Sequence, residues 1–252
     1  MMQDLKAQLA QAQTLIGGAE RLVVFTGAGI SADSGIPTYR GEGGLWTEYD
    51  PDKYANIAHF RKDPSYYWRF FRDVRYPALR DARPNPAHEA LAALETAGRL
   101  KALITQNIDG LHAEAGSRNV LELHGNTRRY YCEQCDHRLA LEQVWTLLQT
   151  ALPPPCPACG GSVRPDVVFF GELLSEPVLR GALEAARQAD LMLVVGSSLV
   201  VHPAAGLPVL TIEHGGKLII VNKGETPLDR LAAVTLNASA ADVLPHITAT
   251  LV

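Results

Sequence analysis

The sequence holds no apolar run long enough to cross a bilayer, so no membrane-embedded protein is expected. It holds no excess of positive charge either. Lys and Arg number 23 against 27 Asp and Glu, a formal charge of −4. A general nucleic-acid binder is usually basic, so no direct nucleic-acid binding is expected. Cysteine is scarce: four in 252 residues, none outside two C-x2-C pairs. That usage does not suggest a disulfide-stapled export product. The first twenty residues are polar and helix-like, with Leu5, Leu9, Ala12 and Ile16 in helical spacing, and lack the basic start and apolar centre of a signal peptide. A cytoplasmic protein is the default expectation, and a monomer the default assembly. No internal repeat or low-complexity tract is visible.

What the chain does have is concentrated in short polar and glycine-rich stretches. The run from Gly27 to Gly41 follows the apolar segment Leu22-Val23-Val24-Phe25. An apolar strand ending in Thr-Gly-Ala-Gly leads into a tight turn whose missing side chains let backbone approach a phosphate. Gly27-x-Gly29-x-x-Ala32 fits a dinucleotide fingerprint with alanine in the third glycine's place. Taken alone that match is weak. Tyr39 and Arg40 just beyond the turn sharpen it, because a plain dinucleotide site needs neither an aromatic nor an arginine there.

The cysteines are spaced Cys132-x2-Cys135 and, about twenty residues on, Cys156-x2-Cys159. This is the spacing of a tetrathiolate zinc site; the alternatives are two disulfides or four unrelated buried thiols. Four thiolates fill a tetrahedral shell and leave no position for water, so such a metal would be structural and catalysis would lie elsewhere.

Along the chain, apolar β-type runs alternate with helical ones. Strands are expected over Arg21–Thr26, Lys101–Thr105, Val120–Leu123, Val167–Phe169, Leu191–Val195, Lys217–Val221 and Ala233–Leu236, with helices over Pro86–Gly98 and Glu176–Ala189. Continuous apolar strands suit a parallel sheet covered on both faces. The expectation is therefore an α/β fold, a Rossmann-like doubly wound parallel sheet whose strand ends converge on one crevice. Two segments break the alternation: 41–84, rich in aromatics and arginine, and 128–164, which holds the cysteines. Both read as insertions forming a smaller zinc-binding lobe, leaving 1–40, 85–127 and 165–252 as the large domain.

In this order the motifs resemble those of the sirtuins, the NAD-dependent protein-lysine deacylases. The resemblance is carried by GAGISADSGIPTYRG, TQNIDGLH (105–112), LHGN (123–126), the two cysteine pairs, VVFFGE (167–172), GSSLVV (196–201) and VNKGETP (221–227), and spans most of the chain. It implies an enzyme that uses NAD as co-substrate, holds one structural zinc and removes acetyl or other acyl groups from protein or peptide lysines. The products would be nicotinamide, O-acetyl-ADP-ribose and free lysine.

The same resemblance implies roles for particular residues. A lone histidine is more often a satisfied core residue, but the resemblance makes His124 the general base, and an imidazole titrating near neutrality suits that task. His112 would orient loops; the other six histidines carry no comparable signal. The pyrophosphate would lie on the turn at Gly27, Ala28, Gly29 and Ala32, with Arg40 available to its charge. Nicotinamide would enter a pocket near Ile36, Ile108 and Asp109. Gln106 and Asn107 would hold the ribose and a water, with Asn107 counted beside His124 in catalysis, and Tyr39 would shield the reacting centre. Gly196, Ser197, Ser198 and Asn222 would receive the phosphate and adenosine end, although the serines and asparagine also suit caps and turns. The substrate peptide would add a strand along Val168, Phe169, Phe170, Gly171 and Glu172, with the phenylalanines lining a tunnel for the acyl-lysine. Adjacent phenylalanines are more often core, so this last placement rests wholly on the resemblance.

Acyl preference turns on one register. Family members that remove succinyl or malonyl groups carry a tyrosine and, three residues on, an arginine; the matching positions here are Phe71 and Val74. That argues for acetyl and other uncharged acyl groups. Two features temper it: Tyr66-x-x-Arg69 repeats the spacing out of register, with Arg72 and Arg75 nearby, and Thr38 is found at its place in some desuccinylases. Two alternatives remain: a mono-ADP-ribosyltransferase or NAD glycohydrolase on the same scaffold, and a non-catalytic zinc-stapled module that binds peptides or nucleic acid.

Overall fold

The computed structural model describes residues 2–41, 43–249 and 251. Its strands are β1 (Leu22–Thr26), β2 (Leu100–Thr105), β3 (Val120–Glu122), β4 (Gly125–Cys132), β5 (Arg138–Ala140), β6 (Val163–Val167), β7 (Leu191–Val195), β8 (Lys217–Val221) and β9 (Val234–Leu236). Six of them form a wholly parallel sheet in the order β3-β2-β1-β7-β8-β9. The strand sequence runs outward in opposite directions from the β1/β7 boundary, the switch point at which a doubly wound sheet opens a crevice beyond its strand ends.

Alternation along β1 shows why its sequence is apolar throughout. Leu22 and Val24 pack with Ile16 of the helix Met2–Gly18, Leu91 of Pro86–Thr96 and Leu244 of Ala240–Thr248. Val23 and Phe25 face the other way, towards Ala182 of the helix Glu176–Gln188 and Leu207 of Leu207–Glu213. A strand with a core on each side has no solvent face on which to place polar residues.

A third core lies outside this sheet. Strands β5, β4 and β6 form a small antiparallel sheet in that order, and its Tyr130, Leu139 and Val163 share one apolar cluster with Phe60, Trp68 and Phe71 from the 41–84 segment. That segment forms short helices, among them Ile57–Lys62, Ser65–Phe70 and Tyr76–Asp81, the last two joined by a wide π-type turn over Phe71–Arg75. Trp145 of the helix Leu141–Leu148 stacks on Tyr76, ring centroids 3.7 Å apart and planes 5° apart, tying the aromatic segment to the cysteine-bearing one.

The expected strands at Leu191–Val195 and Lys217–Val221 form with those bounds, and the others of the large sheet lie within a residue or so of expectation. Val167–Phe169 is corrected. The strand is Val163–Val167 and belongs to the small antiparallel sheet, whereas Val168 to Phe170 leave it as a loop. The apolar run there reflects burial in the aromatic core, not a place in the parallel sheet. Strand β4 was not anticipated: Gly-Asn-Thr-Arg-Arg-Tyr-Tyr-Cys has no sustained apolar run. The boundaries anticipated at 127/128 and 164/165 fall inside β4 and β6. No helix among the described residues is long and apolar enough to cross a membrane.

Candidate functional site

A cavity of about 1160 Å³ opens where the carboxyl ends of β1, β2 and β7 meet the aromatic segment. Of the residues expected to touch a cofactor, Gly27, Ala28, Gly29, Ala32, Tyr39, Arg40, Gln106, Asn107, Ile108, His124, Gly196, Ser197, Ser198 and Asn222 all line it. Val168, Phe169, Phe170, Gly171 and Glu172 line it too. Ile36 and Asp109 are buried beside it without lining it.

The turn after β1 is built on backbone approach. Gly29 N–H donates to Gly196 O at 2.8 Å, and a Cβ on Gly29 would fall 2.7 Å from the Gly196 Cα. Gly196 has φ +62, and its own Cβ would fall 2.3 Å from the Ile30 nitrogen. Neither position admits a side chain, so the β1 and β7 turns touch through bare backbone. A 3₁₀ helix over Ala28–Ser34 follows in place of the longer helix that the fingerprint usually opens. Arg40 is exposed at the rim and has no acidic partner among the described residues.

Gln106 ties three strand ends together. Its N–H donates to Thr26 O at 3.0 Å, its Nε2 to Ser197 Oγ at 2.8 Å, and its carbonyl accepts from His124 Nδ1 at 3.0 Å. A carbonyl only accepts, so Nδ1 of the neutral ring carries the proton and Nε2 is left with its lone pair. Burial pushes the His124 imidazole below its ordinary value, partly offset by that same hydrogen bond. The ring is therefore neutral at pH 7, with an unprotonated nitrogen, which is the state a general base requires.

Beneath Asn107 lies a buried polar network. Asn107 Nδ2 donates to Ser31 Oγ at 3.1 Å, and that hydroxyl donates to Asp109 Oδ2 at 2.8 Å. His88 Nδ1 accepts the Asn85 N–H at 3.3 Å, which leaves the proton on Nε2, facing Ser31 Oγ at 3.4 Å. His112 Nε2 meets Thr26 Oγ1 at 2.9 Å, with the two imidazoles 4.9 Å apart. Burial, with the neighbouring His88, drives His112 down to about 3; burial also lowers His88, against the pull of Asp109. Asp109 Oδ1 accepts the Leu111 N–H at 2.9 Å, so both carboxylate oxygens already hold internal donors.

On the facing wall, Val168 N–H donates to His124 O at 2.9 Å, which fixes the loop to the residue carrying the imidazole. Phe170 exchanges both backbone groups with the aromatic segment: its N–H donates to Ala55 O at 2.8 Å and its carbonyl accepts from Ile57 N at 3.0 Å. Backbone for an added strand is thus narrower than the full Val168–Glu172 stretch. Phe169 is buried, whereas Phe170 is 39% and Leu173 94% exposed at the rim. Glu172 is turned inward: Arg164 grips both its oxygens, at 2.9 and 2.7 Å, and Phe169 N–H donates to one at 3.0 Å. Burial raises the Glu172 carboxyl, and the Arg164 pair outweighs it and holds it below the usual carboxylate range.

The four cysteines converge away from this cavity. Their sulfurs all lie within 4.8 Å of one another, with Cys132 to Cys159 at 3.5 Å and Cys135 to Cys156 at 3.7 Å. Zn–S bonds of about 2.3 Å in a tetrahedron put sulfurs roughly 3.8 Å apart, so the cluster is already zinc-shaped. Backbone N–H groups of Gln134, Ala158 and Gly161, each two residues past a cysteine, donate to sulfur at 3.4 Å. Amides aimed at sulfur suit thiolates, and none of the cysteines is in a disulfide.

Residues 27–203 match the model of the Sir2 family. The chain belongs to the Sir2 family. It is 51% identical over 229 residues to an NAD-dependent protein deacetylase of Sulfurisphaera tokodaii, covering 89% of this chain and 88% of that one. An NAD-dependent protein deacylase of Thermococcus kodakarensis is 46% identical over 242 residues, covering 95% and 94%. Among solved structures, a Sir2 protein with a deacetylated p53 peptide and 3′-O-acetyl-ADP-ribose superposes with a TM-score of 0.92 at 42% identity, covering 96% of this chain and 98% of that one. A Sir2–p53 peptide–NAD+ complex gives a TM-score of 0.89, again at 42% identity, with the same coverage.

Set within the Sir2 family, three features of this cavity escaped sequence reasoning. His88 and Ser31 support Asn107 and Asp109 from below, and only Asn85-Pro86 ahead of the helix, a capping signature, hinted that His88 is held. Glu172 shapes the loop from within through Arg164, a partner eight residues back in sequence. Arg75 lines the cavity, and no spacing rule singled it out among the arginines of its segment.

Proposed function

We propose that the protein is an NAD-dependent protein-lysine deacylase acting on acetylated lysines in protein or peptide substrates. One observation carries this reading most directly: a neutral imidazole with its bare Nε2 stands in a cavity bounded by a glycine turn on one side and the Val168–Glu172 loop on the other. Sequence identity to deacetylases and deacylases over most of the chain supports it.

The cavity suits NAD. The bare-backbone turn from Gly27 to Gly29 on the cavity wall, held against Gly196, with Arg40 exposed beside it, suits a pyrophosphate. Bound NAD supplies an activated bond to nicotinamide and a ribose hydroxyl able to receive the acyl group. The chain's residues do the rest. Gln106 orients His124 through its carbonyl, so that Nε2 takes a proton from a ribose hydroxyl. Asn107, held by Ser31, positions ribose and water. Tyr39 covers the reacting centre, and Phe169 with Val168 forms the apolar sleeve for the lysine side chain. The peptide backbone pairs with the rim near Gly171. In this scheme 1–40, 85–127 and 165–252 act as the NAD-binding part, and 41–84 with 128–164 as the smaller lobe, where one structural zinc on Cys132, Cys135, Cys156 and Cys159 maintains shape.

The test is mass spectrometry of an acetyl-lysine peptide with and without NAD. NAD-dependent loss of acetyl with O-acetyl-ADP-ribose and nicotinamide formed is expected. Intact peptide with ADP-ribose appearing on protein would replace this reading with mono-ADP-ribosyl transfer.

A further inference from the structure

The loop that faces the substrate side of the cavity is held by very little of its own backbone. Past Val167, the last residue of β6, the chain forms no strand or helix until Glu176. The Phe169–Glu172 turn closes on itself: Glu172 N–H donates to Phe169 O at 3.0 Å, and Phe169 N–H donates to Glu172 Oε2 at 3.0 Å. Gly171, with φ +88, lies within it, and its N–H has no protein acceptor among the described residues. An edge of this kind pairs with an added strand well only if it is already in place, because otherwise binding must also cover the cost of ordering it.

What holds it in place is a buried arginine that does not line the cavity. Arg164 Nη2 donates to Val167 O at 3.0 Å, just ahead of the loop. Nη1 and Nη2 grip the Glu172 carboxylate at its far end, at 2.9 and 2.7 Å. One guanidinium thus spans the loop from 167 to 172, and it also lies over the Phe169 ring at 5.2 Å. Behind it, Nη1 faces Glu133 Oε1 at 3.7 Å, a residue set between Cys132 and Cys135. As a stabilising device a buried ion pair is a poor choice, since desolvation takes back most of the attraction. What it supplies is direction: a planar fork fixes the carboxylate, and with it the turn, in one orientation.

We propose that Arg164 is a positioning residue for the substrate peptide. Through Glu172 it fixes the Gly171 backbone edge and the Phe169 wall of the acyl-lysine sleeve, and so governs peptide affinity while touching neither peptide nor NAD. The inference rests on the deacylase reading above and deepens it. Arg164 moves no proton, and the glycine turn and His124 do not depend on it.

The experiment measures, for one acetyl-lysine peptide, its Kd without NAD, the Kd of NAD, the melting midpoint, and kcat with both substrates saturating. Arg164→Met is expected to weaken peptide binding at least about tenfold, the loss of a charged hydrogen-bond pair, with NAD affinity and kcat changed less than about threefold. Arg164→Lys should regain part of the affinity, because one ammonium cannot span both loop ends. The double variant Arg164→Met/Glu172→Gln leaves no unpaired buried charge, so it is expected to melt like the wild type and still bind peptide weakly. It carries the test if Arg164→Met alone does not fold. A double variant that regains peptide affinity together with its melting midpoint overturns the proposal, leaving Arg164 only to neutralise Glu172. So does loss of NAD and peptide affinity in equal measure, the mark of a general brace. Wild-type peptide affinity in Arg164→Met with turnover intact overturns it too, and leaves the deacylase reading standing. If no protein in the series turns the peptide over while its Kd still follows Arg164, the deacylase reading fails and the positioning role stands.

Discussion

The two walls of the cavity are made of different material. On the β1/β7 side, glycine backbone and short polar side chains meet, and each atom is placed by the end of a strand in one sheet. On the opposite side, aromatic rings from the 41–84 segment and the small sheet share a core, and position comes from packing between pieces distant in sequence. The first wall tolerates little change because there is no room in it. The second holds only if separate pieces stay together, which gives the four-cysteine cluster its importance.

The largest effect that would break this contrast is loss of the metal. Cys156→Ser is expected to remove zinc and unfold the small sheet with its aromatic partners, since a structural zinc contributes on the order of 10 kcal/mol in small modules. Metal analysis with limited proteolysis reads this; a metal-free variant that melts like the wild type would show that packing alone suffices. Next comes His124→Ala, expected to lower kcat by about 10² to 10⁴ while NAD still binds. Calorimetry beside turnover separates the two, and full activity would strip His124 of its role as base. A smaller effect is expected from Gly29→Ala, whose Cβ would fall 2.7 Å from the Gly196 Cα. Backbone must move, at a cost of about 1–3 kcal/mol, with weakened NAD binding. Unchanged melting and unchanged NAD affinity would show the polar wall to be as forgiving as the aromatic one.

The effect that is smallest at neutral pH is that of the buried histidines, and it grows as the pH is lowered. His112 is held at about 3 by burial, and His88 is lowered as well. The unfolded chain takes up protons below about pH 6.5 that the folded one refuses, so stability falls as pH drops from there towards 3. The slope approaches about 1.4 kcal/mol per pH unit for each such histidine, and above pH 7 neither contributes. Urea midpoints between pH 7 and 4 measure it, and His112→Gln should flatten the curve.

Legibility in the sequence follows the same division. The parallel strands were readable because residues buried on both faces must be apolar, and Leu191–Val195 and Lys217–Val221 stand where that rule puts them. Most cavity-lining positions of the polar wall were readable because glycines and polar residues cluster just after strands. The cysteine pairs announced their own cluster. The other wall was not readable from local pattern. Val167 and Phe169 look like a buried strand, and only tertiary pairing with β4 and the Ala55–Ile57 segment shows where the strand stops. Arg75 is one of four arginines from Arg61 to Arg75, and a change of helical pitch, invisible to residue counting, brings it to the cavity wall.

The contact between Gly29 and Gly196 has a consequence for how this protein can vary. Their backbones occupy one another's side-chain space, though 167 residues separate them in sequence. In a saturation library the two sites should behave as one locked unit, where a change at either is lost and no change at the other rescues it. Diversification of such a chain is thereby channelled to the aromatic wall, where a volume lost from one ring can be refilled by its neighbour.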